Sequence, residues 1–463
     1  MTKTDTIAAL ATARGVAALA LVRTSGPEAV SVVNRCFRGP DLTAVASHTA
    51  HVGYLQAADG RDLDQVVVTV FRAPRTATGE DVVEVSCHGG TLAPLLILES
   101  LLDHGARMAA PGEFTQRAFL NGKLDLAQAE AVADLIHAGS TQAHRVSLSQ
   151  LQGRYSAVIG QLRDELLELA AFVELELDFA EEDVEFADRE RLVRLLDGAE
   201  ALLTDLLASV RTGEVLRDGV RVVIGGRPNA GKSTLLNALL GQERAIVSEV
   251  PGTTRDEIEA EMELRGVRVR FVDTAGLRAT ADAIEAEGVR RAQRSIAASD
   301  VLVYVYDRTQ GLDADERTFL ANVQADRPDL AVVLVANKAD LPAAVEAPGT
   351  EVLARAHLAL SAQVAQREAA VLRPLQDTVL DVVAADLSRA EASPVVMNQR
   401  HRHHLHHALD AVQRAQAALA AGHGGDTLAL DLRAALHELG AITGAITTED
   451  VLDQIFSRFC IGK

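Results

Sequence analysis

The chain has 463 residues, 48% apolar and 24% charged, a composition with ample core for a globular protein and a length that suggests roughly three domains. Its 65 acidic residues against 45 basic ones give a formal charge of −20, which excludes a uniformly basic nucleic-acid coat though not a local basic patch. No apolar run reaches the ~18 residues that span a bilayer, the start lacks a secretory leader's pattern, and three scattered cysteines (Cys36, Cys87, Cys460) fit a reducing cytoplasm better than a disulfide scaffold.

Residues 1–120 read as mixed α/β. Short β-rich runs at Val16–Val22, Val66–Phe71 and Val82–Ser86 are separated by Gly, Pro and Asp turn signals. From Leu124 to Leu216 the pattern becomes helical, with Leu162, Leu166, Leu169 and Val173 recurring on one face. The acidic stretch Asp178–Glu185 inside it reads as a solvated turn between helices. At Val220 the pattern changes to apolar runs alternating with helices: Val220–Gly225, Val267–Asp273, Val301–Asp307 and Ala331–Ala336, the signature of a parallel sheet covered on both faces. Helices return past residue 380, with Leu405, Leu409, Val412 and Leu419 on one face. The expected fold is therefore multidomain α/β plus all-α: an N-terminal α/β domain (1–120), a helical domain (121–217 and 379–463), and an α/β domain (218–378) inserted into it, with a mostly parallel sheet.

Only five of the basic residues are lysines: Lys3, Lys123, Lys232, Lys338 and Lys463. Lys232 lies in Gly226–Ser233 (GRPNAGKS), which fits the phosphate-binding G-x4-G-K-[ST] loop, follows an apolar strand and precedes the helical run Thr234–Leu240. Gly226, Asn229, Ala230 and Gly231 let the backbone N–H groups curl around phosphates. Lys232 supplies a point charge to them, and the Ser233 hydroxyl suits Mg²⁺. Asp273–Gly276 (Asp273, Thr274, Ala275, Gly276) ends the next strand, placing a carboxylate near the metal and an N–H near the γ-phosphate. Asn337–Asp340 ends the strand Ala331–Ala336, and the Asp340 carboxylate pairs with the N1–H and 2-amino groups of guanine, which adenine lacks. Lys338 lies within this motif, Ser361–Ala362 fits a backbone contact to the guanine oxygen, and Thr253 or Thr254 in the loop Pro251–Asp256 can complete the Mg²⁺ shell. Together these elements imply a GTP hydrolase.

One position departs from Ras-like enzymes. Leu277 follows Gly276 where they carry a water-orienting glutamine. Asp282, Glu285 and Glu287 are the acidic candidates to replace it, and Arg255 and Arg278 the candidates to neutralise the transition state.

An inserted GTPase domain, the run Asp273–Leu277 (DTAGL), and an end of Cys460-Ile461-Gly462-Lys463 together resemble the MnmE (TrmE) tRNA-modification GTPase family. The stretches Gly79–Gly90 (GEDVVEVSCHGG) and Pro111–Ile136 look like that family's N-terminal signatures, so the resemblance covers essentially the whole chain. It implies an N-terminal domain that dimerises and binds 5,10-methylene- or 5-formyl-tetrahydrofolate through Arg23, Glu84 and Lys123. It implies a homodimer joined in a heterotetramer by an FAD protein, MnmG (GidA), the two together placing an aminomethyl or carboxymethylaminomethyl group at C5 of the wobble uridine of certain tRNAs. It also implies that K⁺ takes the place of an arginine finger, held by Asn229, Ser248, Val250 and Thr253, while Glu285 positions water. Ala13–Ala20 (ARGVAALA) departs from the family's Gly-rich stretch. Two further features stand apart: His403 and His407 at i, i+4, a spacing that could hold zinc but that an amphipathic helix explains better, and Cys460, either a docking or reactive-thiol feature or part of a packed terminus.

Overall fold

A computed structural model describes residues 5–178, 189–241, 245–246, 259–273, 294–343, 354–384, 387–388, 395–396, 398–422 and 425–463. The chain divides into two units: Met1–Ile136, Leu148–Glu200 and His407–Lys463 form one, and His137–Ser147 with Ala201–His406 the other.

The first unit holds a seven-stranded sheet of β1 (Ile7–Leu10), β2 (Leu19–Ser25), β3 (Phe37–Arg38), β4 (Thr49–Gln56), β5 (Asp62–Phe71), β6 (Val82–His88) and β7 (Arg107–Met108). The spatial order is β3-β4-β5-β6-β2-β1-β7, antiparallel throughout except where β7 runs beside β1. Strict alternation drives it. Val83, Val85 and Cys87 of β6 point into a core shared with Val66, Val68 and Val70 of β5 and with the helices Ala29–Cys36 and Ala93–Asp103. The opposite face carries Leu19, Leu21 and Arg23 beside Glu84, Ser86 and His88. The strand expected over Val16–Val22 begins at Leu19. Ala17 and Ala18 still exchange backbone bonds with Gly89, but the Val16 side chain is 85% exposed.

Helices complete this unit. In Arg154–Asp178 the stripe Leu162, Leu166, Leu169 and Val173 is buried as its spacing predicts, and this helix packs on Gly425–Thr443 with buried Leu428, Leu432 and Leu439. Phe456 and Phe459, at the end of the helix Glu449–Phe456, cluster with Leu126, Ala129 and Leu452.

The second unit carries the sheet that positions the site: β8 (Val220–Gly225), β9 (Ala245–Ile246), β10 (Glu259–Leu264), β11 (Val267–Asp273), β12 (Val301–Asp307), β13 (Ala331–Asn337) and β14 (Ala356–Ala359). The order is β14-β13-β12-β8-β11-β10-β9, with β8, β11, β12, β13 and β14 parallel and β9 and β10 antiparallel at one edge. Both faces are buried. Val222, Val303 and Val335 enter one core and Val223, Leu302 and Leu334 the other, so the strands read as unbroken apolar runs. Strand β8 lies between β11 and β12, the place where the order reverses and where open α/β sheets bind ligands at their carboxyl ends.

Candidate nucleotide-binding site

Strand β8 ends at Gly225 and the chain turns at once into the phosphate-binding loop. Gly226 has φ +136°, and a Cβ there would lie 2.0 Å from the Val305 carbonyl oxygen of β12. Gly231 has φ +97°, and a Cβ there would lie 2.0 Å from Asn337 Nδ2. These glycines are thus required by neighbours on two other strands as well as by the turn itself. Asn229 sits in the left-handed region at φ +63°, which asparagine tolerates, and is exposed with Arg227 and Pro228. Lys232 opens the helix Lys232–Leu240. Its buried ammonium donates to the carbonyls of Gly226 and Arg227, both at 2.7 Å, which holds the loop curled around it. Ser233 follows, exposed in the first turn, and Thr234 is half-buried.

A single amide ties three loops together. Asn337, buried at the end of β13, donates from Nδ2 to the Ala230 carbonyl at 2.7 Å and accepts at Oδ1 from the Ala362 N–H at 2.9 Å. The loop after β8 and the loop after β14 are therefore locked to the strand whose end carries Asp340. Ser361 accepts from Val364 N–H and so caps the short helix Ala362–Ala365. Lys338, at φ +63°, starts a turn closed by Leu341 N–H to the Lys338 carbonyl at 2.9 Å, and Asp340 stands exposed in that turn.

Two acidic partners of this site escape a motif-based reading. Asp307 closes β12 and pairs with the Lys338 ammonium, while accepting from Thr309 N–H and Oγ1 at 2.9 and 2.7 Å. Burial opposes its ionisation, but these donors outweigh burial and hold its carboxyl below the ordinary aspartate range. Asp313 pairs with Arg227 of the loop and caps the helix Ala314–Asp326 in a capping box with Glu316. Glu316, itself buried, lies 3.7 Å from Arg227 Nε and accepts from the Tyr304 hydroxyl at 3.0 Å. The signal that would reveal Asp307 is the one that marks Asp273: an acid ending an apolar strand.

Asp273 ends β11 in register with Ile224 of β8. Ser248, Val250, Thr253, Thr254, Thr274, Ala275, Gly276, Arg278 and Glu285 lie outside the described residues, as do Arg255, Leu277, Asp282 and Glu287.

In the first unit, Arg23 and Glu84 are cross-strand partners on the face opposite the helices Ala29–Cys36 and Ala93–Asp103, with the Phe114 ring of the helix Glu113–Leu120 5.8 Å from the Arg23 guanidinium. Arg23 Nε and Nη2 both donate to Glu84 Oε1, at 2.9 and 2.7 Å, and no hydrogen bond to Oε2 is recorded among the described residues. Lys123 is held elsewhere, donating to the Pro74 carbonyl at 3.1 Å beside Gly79. The buried Arg117 braces the same loop, donating to Glu80 at 3.2 Å, to Asp5 Oδ1 at 2.8 Å and to Glu113 at 3.0 Å. Burial opposes ionisation of Asp5, yet Arg107 and Arg117 keep its carboxyl below the ordinary range. The Cys36 and Cys87 thiols are buried and pushed up to about 11, so they are protonated and inert near neutrality.

The backbone of the tail is packed: Gly112 N–H donates to the Cys460 carbonyl, Phe114 N–H to the Lys463 carbonyl, and a Cβ on Gly462 would lie 2.3 Å from the Leu10 carbonyl oxygen. The Cys460 residue itself is exposed. Among the described residues no group of three or more His, Cys, Asp or Glu side chains is arranged to hold a metal, and His403 and His407 belong to no such group.

A phosphate-binding loop at the reversal point of a parallel sheet, locked by the asparagine of an Asn-Lys-x-Asp run, defines the P-loop GTPase class. The sequence profile of the MnmE helical domain matches residues 126–460, and that of the GTP-binding protein TrmE N-terminus matches residues 6–123. A protein named tRNA modification GTPase MnmE from Salinibacter ruber is 67% identical over 463 residues, all of both chains. Its namesakes from Cytophaga hutchinsonii and Moorella thermoacetica are each 43% identical, covering 99% of this chain and 98% and 99% of their own. The chain belongs to the MnmE family.

Proposed function

We propose that this chain hydrolyses GTP with Mg²⁺ and K⁺ and uses that cycle, as a homodimer with an FAD-dependent MnmG subunit, to modify C5 of the wobble uridine of certain tRNAs in the cytoplasm. The observation that carries the nucleotide part is the Asn337 lock, which joins the phosphate loop at Ala230 to the loop at Ala362 while leaving Asp340 exposed beside them. Guanine then receives the Asp340 carboxylate on its N1–H and 2-amino edge, with Lys338 and the Ser361–Ala362 backbone alongside, and the phosphates receive Lys232 and the loop N–H groups.

The residues present suit the two cations. Ser233 is an exposed residue in the first helical turn, to be joined by Thr254, and Asn229 is exposed in the loop, to be joined by Ser248, Val250 and Thr253. When bound, the cations neutralise charge developing on the phosphates. Glu285 would hold the attacking water in place of the glutamine that Leu277 replaces, with Arg278 as a candidate to neutralise transition-state charge.

The folate reading assigns Arg23, Glu84 and Lys123 to a tetrahydrofolate one-carbon derivative, bound in an N-terminal domain (1–120) beside a helical domain (121–217 and 379–463) that carries the G domain (218–378). Its support is chemical. Arg23 occupies only one oxygen of Glu84, so a carboxylate oxygen stays available to a pterin's amidine-like edge, and guanidinium and ammonium groups suit the ligand's own carboxylates. Cys460 would then offer an exposed thiol to the modification chemistry.

Calorimetry on the full chain tests the nucleotide reading: GDP and GTP bind, and ATP does not; equal ATP binding would refute it. GTP turnover is expected to be faster in K⁺ than in Na⁺ buffers, and equal rates would remove the potassium assignment. Mass spectrometry of wobble nucleosides from cells lacking the chain is expected to show loss of the C5 group.

A further inference from the structure

The guanine-recognition turn depends on a residue outside every motif. Asp307 ends β12 opposite Asn337 of β13, so the two strands deliver the carboxylate and the Asn-Lys-x-Asp run side by side. Its two oxygens have separate duties. Oδ1 accepts from Thr309 N–H and Oγ1 and closes the turn after β12, while Oδ2 accepts from the Lys338 ammonium. That ammonium sits on a backbone at φ +63°, a conformation lysine seldom adopts, and its side chain is only about one-third exposed, at 35%, against 12% for Asp307. An ammonium has three donors on a flexible stem. Occupying one of them with a buried carboxylate fixes the stem and leaves two donors for a ligand beside Asp340.

We infer that Asp307 is the positioning residue of the guanine site, acting on nucleotide affinity through Lys338. This deepens the guanine-nucleotide reading above and rests on it. The pair also explains why the lysine is retained in a chain that uses arginine almost everywhere. A planar guanidinium would take Asp307 bidentately and turn its fork away from a ligand, whereas a point-like ammonium shares its donors in several directions.

The test uses the full-length protein and GDP carrying a fluorescent ribose group. Asp307→Asn keeps an acceptor for Thr309 and presents an amide to Lys338 in place of a charge. It is expected to weaken GDP binding about tenfold, the scale of one charge-assisted hydrogen bond. Asp307→Ser, a second variant with a hydroxyl acceptor and no charge, is expected to show the same loss. Thr309→Val disturbs only the turn and is expected to leave affinity within about twofold. The deciding measurement is the double variant Asp307→Asn with Lys338→Ala. If Asp307 acts through the lysine, the double variant binds GDP no more weakly than Lys338→Ala alone. Losses that multiply, or an Asp307→Asn protein of unchanged affinity, would overturn the inference. Failure of the unaltered protein to bind GDP would instead overturn the nucleotide reading beneath it.

Discussion

The two sheets solve the problem of carrying chemistry in opposite ways. In the first unit most strand pairs are antiparallel, and functional side chains such as Arg23 and Glu84 sit in mid-strand on the face opposite the helices Ala29–Cys36 and Ala93–Asp103, interleaved with the core. In the second unit the central strands β8, β12 and β13 are buried on both faces, which leaves their mid-strand positions little access to a ligand. Its chemistry is pushed to the strand ends, where the Gly226 loop, Asp307 and Asn337 emerge side by side. A face-borne site tolerates changes in its neighbours, while an end-borne site depends on backbone geometry at single residues.

Gly226→Ala tests that contrast most severely. The added Cβ meets the Val305 carbonyl oxygen at 2.0 Å on a left-handed backbone, so the variant is expected to lose on the order of 3 kcal/mol or more of stability. Urea unfolding with GDP titration checks it, and a protein that still binds GDP would break the comparison. Next comes a matched pair. Leu334→Ala, buried on the doubly covered sheet, is expected to cost about 2–5 kcal/mol, whereas Val67→Thr, at an exposed position of β5, stays within about 0.5 kcal/mol. A larger cost at Val67, read by urea unfolding, would mean that this position is covered in solution.

Smaller again is Arg23→Ala. The partly exposed pair with Glu84 contributes about 1 kcal/mol or less, so melting should shift little while folate binding, followed by calorimetry, is lost. Unchanged folate binding would remove Arg23 from that site. The smallest effect is electrostatic. Asp307 has a folded pKa depressed below the ordinary 3.8. Its contribution is therefore present above that value and fades as the pH falls through the lower, folded one. Asp307→Asn should therefore lower stability near neutrality, and the gap from the unaltered protein should close as the pH falls below about 4; a parallel shift at all pH values would contradict this.

The same contrast explains what the sequence made legible. The end-borne site was written as contiguous motifs, because a loop wrapped on phosphates needs fixed glycines, a lysine and an asparagine at fixed spacing. Strands β8, β11, β12 and β13 match their apolar runs to within a residue. The face-borne sheet was harder to read: β1, β4 and the short β3 and β7 carry no run long enough to stand out, and the apolar run at Val16 begins before its strand does. Asp307 and Asp313 were missed because their partners lie elsewhere in the chain, in Lys338 and Arg227, and only the fold brings them together. Arg117 likewise meets Asp5 across more than a hundred residues of sequence.

The absence of tryptophan turns a packing detail into an optical one. Only four tyrosines emit in this chain, and two of them, Tyr304 and Tyr306, stand on β12. The Tyr304 phenol is bonded to Glu316, which lies beside Arg227 of the phosphate loop. A carboxylate so placed quenches phenol emission. Any rearrangement of that loop which shifts Glu316 should therefore be visible as a change in native ultraviolet fluorescence, with no label attached.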